Sequence, residues 1–152
     1  MAIMEKVIPL ETDITPEAAI SGAIVLATEL QTMLSFNGMR LQRDGLYHDV
    51  GRAIVRFQHC IISKFGYPND EAWGGIPRTR ELSYGCYEVL NSSWNTELCE
   101  LNKYSFPDSV PGKMRHFLFL FHDSSFECLA DGYTIEVVPW ERFNAIALDF
   151  LK

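Results

Sequence analysis

Residues 113–138 read Lys-Met-Arg-His-Phe-Leu-Phe-Leu-Phe-His-Asp-Ser-Ser-Phe-Glu-Cys-Leu-Ala-Asp-Gly-Tyr-Thr-Ile-Glu-Val-Val, and their spacing decides the fold class. Phe117, Phe119 and Phe121 recur at every second position. Residues 122–125 interrupt the apolar run, after which Phe126, Cys128 and Ala130 alternate with Glu127. Asp131-Gly132 marks a second turn, and beyond it Tyr133, Ile135 and Val137 alternate with Thr134 and Glu136. Successive side chains of a strand point to opposite faces. Period-two patterning between turn residues therefore predicts three antiparallel strands with short connections.

Working outward, Asn91-Ser92-Ser93 supplies the cap of a helix over 92–104. Trp94, Leu98 and Leu101 give that helix an apolar stripe, and Lys103 suits its C-terminal end. Pro139-Trp140-Glu141 opens a last helix with Trp140, Phe143, Ala147 and Phe150 on one side. On the other flank, residues 81–90 read as a strand. Residues 52–63 alternate as one long strand, with His59 on its apolar face as a core histidine. Nearer the start, 3–10 and 32–36 read as strands, and Asn37-Gly38 predicts a two-residue hairpin turn before a return over 39–42. Asp44-Gly45 marks the next turn. Thr15-Pro16-Glu17 carries helix-start signals, and 18–27 reads as a short helical turn followed by a strand. The sum is a single α+β domain over residues 1–152, with a mainly antiparallel sheet of about six to eight strands covered by the 92–104 helix and a C-terminal helix.

Composition narrows the function classes. A chain of 152 residues matches one ordinary domain. A net charge of −7, with no run of Lys and Arg, argues against nucleic acid and against anionic membrane surfaces. Cys60, Cys86, Cys99 and Cys128 lack Cys-x-x-Cys spacing and read as reduced thiols. The first ten residues lack the apolar core of a signal peptide, and no 18-residue apolar run occurs, so the cytoplasm is the expected location.

Two stretches carry polar groups that the strand pattern does not demand. The first is residues 121–127, Phe-His-Asp-Ser-Ser-Phe-Glu. The second is the loop 64–82, with Asn69-Asp70-Glu71, Trp73 and Gly74-Gly75 ahead of Arg78 and Arg80. A loop longer than about 12–15 residues is commonly functional. The first stretch, together with residues 64–71 and 88–94, resembles an uncharacterised family of small bacterial proteins with a Phe-His-Asp-Ser-Thr-Phe-Glu core. The resemblance covers about a fifth of the chain and implies a grouping, with no activity attached. In that family the loop continues as Gly-His-Pro, where this chain has Gly75-Ile76-Pro77.

His122, Asp123 and Glu127 are the candidate catalytic residues. Neighbouring strand residues face opposite ways, so His122, Asp123 and Ser124 cannot make a contiguous triad. His122 and Glu127 are expected to meet across the hairpin, where opposed side chains lie about 5 Å apart. Such a pair suits acid–base work in a small hydrolase or isomerase, whereas Asp123 and Ser124 at a turn ordinarily bond local backbone. Asn69, Asp70, Glu71, Trp73, Arg78 and Arg80 are the candidate binding residues; Asn69-Asp70-Glu71 with Arg78 and Arg80 could clamp an acidic ligand or partner, the alternative being a solvated loop with internal ion pairs. Trp73 is expected at least partly exposed or docked at a subunit interface, which leaves a homo-oligomer open. No set of three or four convergent ligands is spaced for a metal, and no nucleotide, dinucleotide, esterase or zincin motif occurs, so no cofactor is expected. The favoured reading is a small binding or protein-interaction module for an unknown small molecule or protein, and the alternative is the His122/Glu127 enzyme.

Overall fold

The computed structural model of the chain describes residues 3–19, 22–108 and 114–152. Ile20 and Ser21, within the expected helical turn, and residues 109–113 lie outside that description. Ten strands and three helices follow in the order β1 (Lys6–Pro9), β2 (Ile14–Pro16), β3 (Ile24–Ala27), β4 (Thr32–Leu41), β5 (Tyr47–Gln58), β6 (Ile62–Gly66), α1 (Asp70–Trp73), β7 (Gly85–Leu90), α2 (Ser93–Lys103), β8 (Arg115–Leu120), β9 (Ser125–Ala130), β10 (Gly132–Val138) and α3 (Trp140–Phe150). They form two antiparallel sheets. The first runs β1-β7-β8-β9-β6; the second runs β10-β5-β4-β2, with β3 also pairing β4.

The alternation in residues 117–130 explains why two sheets form. Phe117, Phe119, Phe121, Phe126, Cys128 and Ala130 share one buried core with Leu34, Phe36, Ala53, Val55 and Phe57 of the second sheet. Phe57 sits among three rings, with centroids 5.7 Å from Phe117, 5.8 Å from Phe119 and 5.4 Å from Phe126. Phe36 lies 5.4 Å from Phe121. Tilted and offset rings at these separations add to the area buried.

The opposite faces are covered too. Leu118 and Leu120 of the first sheet pack with Trp73, Tyr87 and Val89 under the segment that runs from β6 to β7. Met33, Ile54 and Val138 of the second sheet pack against Phe143 of α3. A sheet covered on both sides reads as a nearly continuous apolar run, which is what residues 117–121 show.

Several expectations give way to tertiary contacts. Thr15-Pro16 lies in β2, not at a helix start, because residues 14–16 pair with residues 38–40. Asn37-Gly38 does not turn. It lies inside β4, which is flanked by β2 and β5, and Gly38 faces Gly51 beside a bulge. Gly51 has φ +104°, and a Cβ there would come within 2.6 Å of the Val138 carbonyl oxygen, so the site is closed to larger residues. The reversal comes instead at Asp44-Gly45, where Asp44 Oδ1 accepts from the Leu46 amide at 2.9 Å.

The expected long strand over 52–63 breaks after Gln58. His59 takes φ 51° and is exposed, its Nδ1 2.6 Å from Asp131 Oδ2, so it is not a core histidine. Beyond it the chain passes into the first sheet as β6, while beside it Asp131 carries the chain from β9 into β10 of the second sheet. Two crossings at one corner thus tie the sheets together, and the third strand of the 113–138 unit does not stay with the other two. Among the described residues, no helix is long and apolar enough to cross a membrane.

Trp73 departs most from expectation: it is only 5% exposed. Its ring meets Tyr84 edge-on at 5.5 Å and joins the cluster over Leu118 and Leu120, so it anchors the 67–84 segment to the sheet. Trp73→Ala is expected to destabilise the protein by about 3–5 kcal/mol, as truncation of a buried Trp does. Urea unfolding read by circular dichroism measures this, and a loss under about 1.5 kcal/mol would place Trp73 outside the core.

Candidate functional site

Beyond β8 the chain turns tightly, with the Phe121 amide donating to the Ser124 carbonyl at 2.9 Å, which leaves His122 and Asp123 at the tip. Asp70 meets them from the first turn of α1. Its Oδ2 lies 2.7 Å from His122 Nδ1 and accepts the Tyr84 hydroxyl at 2.6 Å. The Asp70 amide donates to the His122 carbonyl at 3.1 Å, which locks segment and turn in register. The Tyr84 hydrogen bond, and after it the one from His122, holds the Asp70 carboxyl below the usual carboxylate range. Asp70 in turn raises His122 through its hydrogen bond and then its charge, and raises the Tyr84 phenol. His122 Nε2 stays open to solvent, 3.9 Å from Asp123 Oδ1.

Beside this turn lies a cavity of about 200 Å³, walled by Glu17, Asn37, Asp123 and Ser124 over the rings of Phe36 and Phe121. Asn37 Nδ2 donates to Glu17 Oε2 at 2.6 Å and to Asp49 Oδ2 at 3.0 Å. Asn37 Oδ1 is buried and has no donor.

Glu127 belongs to a different cluster. Its register partner is Leu118, two rungs away from the turn that holds His122, so the expected His122–Glu127 pair does not form. The reason is periodicity: Glu127 stands on the outer face of β9, next to His116 on the outer face of β8. His116 Nε2 lies 2.7 Å from Glu127 Oε1, and Arg78 Nη2 donates to the same oxygen at 2.7 Å. Arg78 Nη1 also lies 3.6 Å from Glu5 Oε2. The other nitrogen of His116, Nδ1, lies 2.7 Å from Ser92 Oγ, which caps α2 by accepting from the Asn95 amide at 3.1 Å. Burial pushes the Glu127 carboxyl up, but the His116 hydrogen bond and the Arg78 charge outweigh it and hold the group at about 2.

The loop residues therefore divide. Asn69 caps α1, its Oδ1 accepting from the Ala72 amide, and Glu71 is exposed in the first turn. Asp70 serves the turn and Arg78 serves Glu127, while Arg80 donates to the Gly74 carbonyl at 3.3 Å. The expected clamp of Asn69-Asp70-Glu71 with Arg78 and Arg80 is not made, because its members are drawn to different partners on the sheet. Sequence reading passed over Ser92 and His116 as site residues, along with Tyr84, Glu17 and Asn37. The signal for His116 was present, since the alternation that sends Phe117 inward sends His116 outward. Comparison with known protein families, with curated proteins and with solved structures gives no match.

Glu127→Gln is expected to cost about 1–3 kcal/mol, because it strips the charged acceptor from half-buried Arg78 and from buried His116. His122→Gln, at an exposed turn, is expected to cost much less, and paired urea melts compare the two. The pH dependence follows from the shifts. The raised His122 adds stability in full below its unfolded value of about 6.5, lost as pH climbs through its higher folded value. The lowered Asp70 adds stability above its unfolded value of about 3.9, lost as pH falls through its lower folded value. The pair therefore supports the fold most between about pH 4 and 6.5. In an NMR titration His122 is expected to titrate above the ordinary imidazole range and to return to it in Asp70→Asn. An unchanged midpoint would sever the pair.

Proposed function

We propose that this protein is an interaction module that captures a basic side chain of a protein partner in the cavity beside the His122–Asp123 turn. The observation that carries this reading is Asn37 Oδ1, a buried acceptor with no donor, on a side chain that lines a cavity with the carboxylates of Glu17 and Asp123 and the hydroxyl of Ser124. A buried acceptor without a donor costs about 1–3 kcal/mol, and a guanidinium or ammonium N–H removes that cost. Carboxylates supply the counter-charge, and the Phe36 and Phe121 rings below supply a surface that attracts cations.

Size favours a side chain over a whole ligand. A cavity of about 200 Å³ is smaller than the roughly 300–1,000 Å³ of sites for drug-sized molecules. The net charge of −7 steers basic partners and repels acidic ones. The Tyr84–Asp70–His122 relay gives the rim its rigidity, since each member is held by the next and the turn is tied to α1 through backbone.

The test is an NMR titration with N-acetyl-arginine amide and, separately, N-acetyl-norleucine amide. Saturable shifts of the Asn37 side-chain amide and of the Asp123 and Ser124 backbone amides are expected with the arginine compound alone. Asp123→Asn is expected to weaken that binding about tenfold, the equivalent of one charge-assisted hydrogen bond. Equal shifts with the neutral compound, or none with either, would refute the reading.

A further inference from the structure

On the outer face of the first sheet, away from the cavity just described, Ser92, His116 and Glu127 stand in a line. Ser92 Oγ is 2.7 Å from His116 Nδ1, and His116 Nε2 is 2.7 Å from Glu127 Oε1. The proton positions follow from the partners. Glu127 is a carboxylate and can only accept, so His116 Nε2 carries the hydrogen. In the neutral ring His116 Nδ1 is then an acceptor, and the Ser92 hydroxyl donates to it. The Asn95 amide fills one Ser92 lone pair at 3.1 Å. His116 is only 2% exposed, and the Trp94 ring covers it edge-on at 5.2 Å.

Ser92 and His116 also line the wall of a cavity of about 590 Å³, enough for a small organic substrate. That cavity opens at the N-terminus of α2, an eleven-residue helix whose first-turn amides have no partner within the helix. We infer from this arrangement that Ser92 is the nucleophile of a carboxylic-ester hydrolase, with His116 as its base and Glu127 holding the ring. The ring nitrogens exchange the places they take in the familiar serine triad, while the order hydroxyl, imidazole, carboxylate is kept.

In the acylation step Ser92 Oγ attacks the ester carbonyl carbon as its proton passes to His116 Nδ1. The carbonyl π electrons move onto oxygen, where the Ser93 and Trp94 amides of the first turn of α2 stabilise the charge, the Asn95 amide being taken by Ser92 Oγ. On collapse the bond to the alkoxy oxygen breaks, and the proton on His116 leaves with the alcohol. Water, deprotonated by His116, then attacks the acyl carbon, and Ser92 departs as the alcohol. One water is consumed, and one acid and one alcohol are released. The His116 hydrogen bond and the Arg78 charge keep Glu127 ionised, so the carboxylate can stabilise the imidazolium formed in each half-reaction.

The walls point to an uncharged substrate. Arg115, the only cation lining the cavity among the described residues, is taken by Glu88, with Nε–Oε2 at 3.0 Å and Nη2–Oε1 at 2.7 Å. Val89, Leu90 and Met114 supply the apolar part. A short-chain neutral ester fits this lining, and a phosphate or a carboxylate-bearing substrate finds no free positive charge.

The experiment uses the full chain and a fluorophosphonate probe, with the adduct mapped by peptide mass spectrometry. A single adduct on Ser92 is expected, together with slow turnover of p-nitrophenyl acetate. Ser92→Asn keeps a side chain that caps helices as well as serine does, so it is expected to stay folded and to lose both the adduct and the turnover. His116→Gln is expected to slow labelling by roughly 100-fold or more, the worth of a general base. Mapping on the parent protein does not depend on any variant folding. A folded parent left unlabelled, or an adduct at another residue, overturns the inference.

Discussion

The buried Glu127 carboxylate is the constraint on which much of the rest depends. A charge taken out of water this far is tolerated only with counter-charge and hydrogen bonds in place. Here the compensation comes from three separate parts of the chain. His116 reaches it from β8 and Arg78 from the long segment after α1, while Ser92 orients the imidazole from the cap of α2. Arg78 also lies 3.6 Å from a second carboxylate, Glu5, near β1. The segment after α1 and the cap of α2 are not strands of the first sheet, so strand pairing does not secure them on its outer face. The carboxylate gives them a common address, and the apolar cluster around Trp73 closes over the remaining sheet beside it.

On the inner face the organising force is different. There the sheets are joined by ring packing, with Phe57 surrounded by Phe117, Phe119 and Phe126. Nondirectional burial holds the layers together, while the corner at His59 and Asp131 sets how strands pass from one to the other. Polar order outside and apolar packing inside are two products of the same alternation in β8 and β9. One register decides both, and slipping either strand by one residue would bury charges among the phenylalanines.

The same alternation divides the functional groups. His122 and Asp123 sit where pairing ends, so they face solvent and the small acidic cavity. Glu127 and His116 sit where pairing is complete, so they are largely buried beside the covering segment and α2. The 67–84 segment touches both places, through Asp70 at one end and Arg78 at the other. One segment of chain thus contributes a side chain to each cluster.

Strand content, the three strands of residues 113–138 as separate elements, the 92–104 helix and the C-terminal helix were legible in the sequence, because period two and period 3.6 are local properties of a chain. The polar character of residues 121–127 was legible too, but not its division, which sends His122 to Asp70 and Glu127 to His116 and Arg78. Partnership was not. Asn37-Gly38 looked like a turn until β2 and β5 claimed both sides of it, and Trp73 looked exposed until Leu118 and Leu120 offered it an apolar bed. His122 was paired with Glu127 by nearness in sequence, but the structure gives His122 to Asp70, 52 residues away, and Glu127 to Arg78, 49 residues away. The sequence by itself determined which faces each strand would present. Only the tertiary structure decided what met those faces, because a buried charge or ring is stabilised by whichever group folding brings within contact distance, and chain separation places no limit on that.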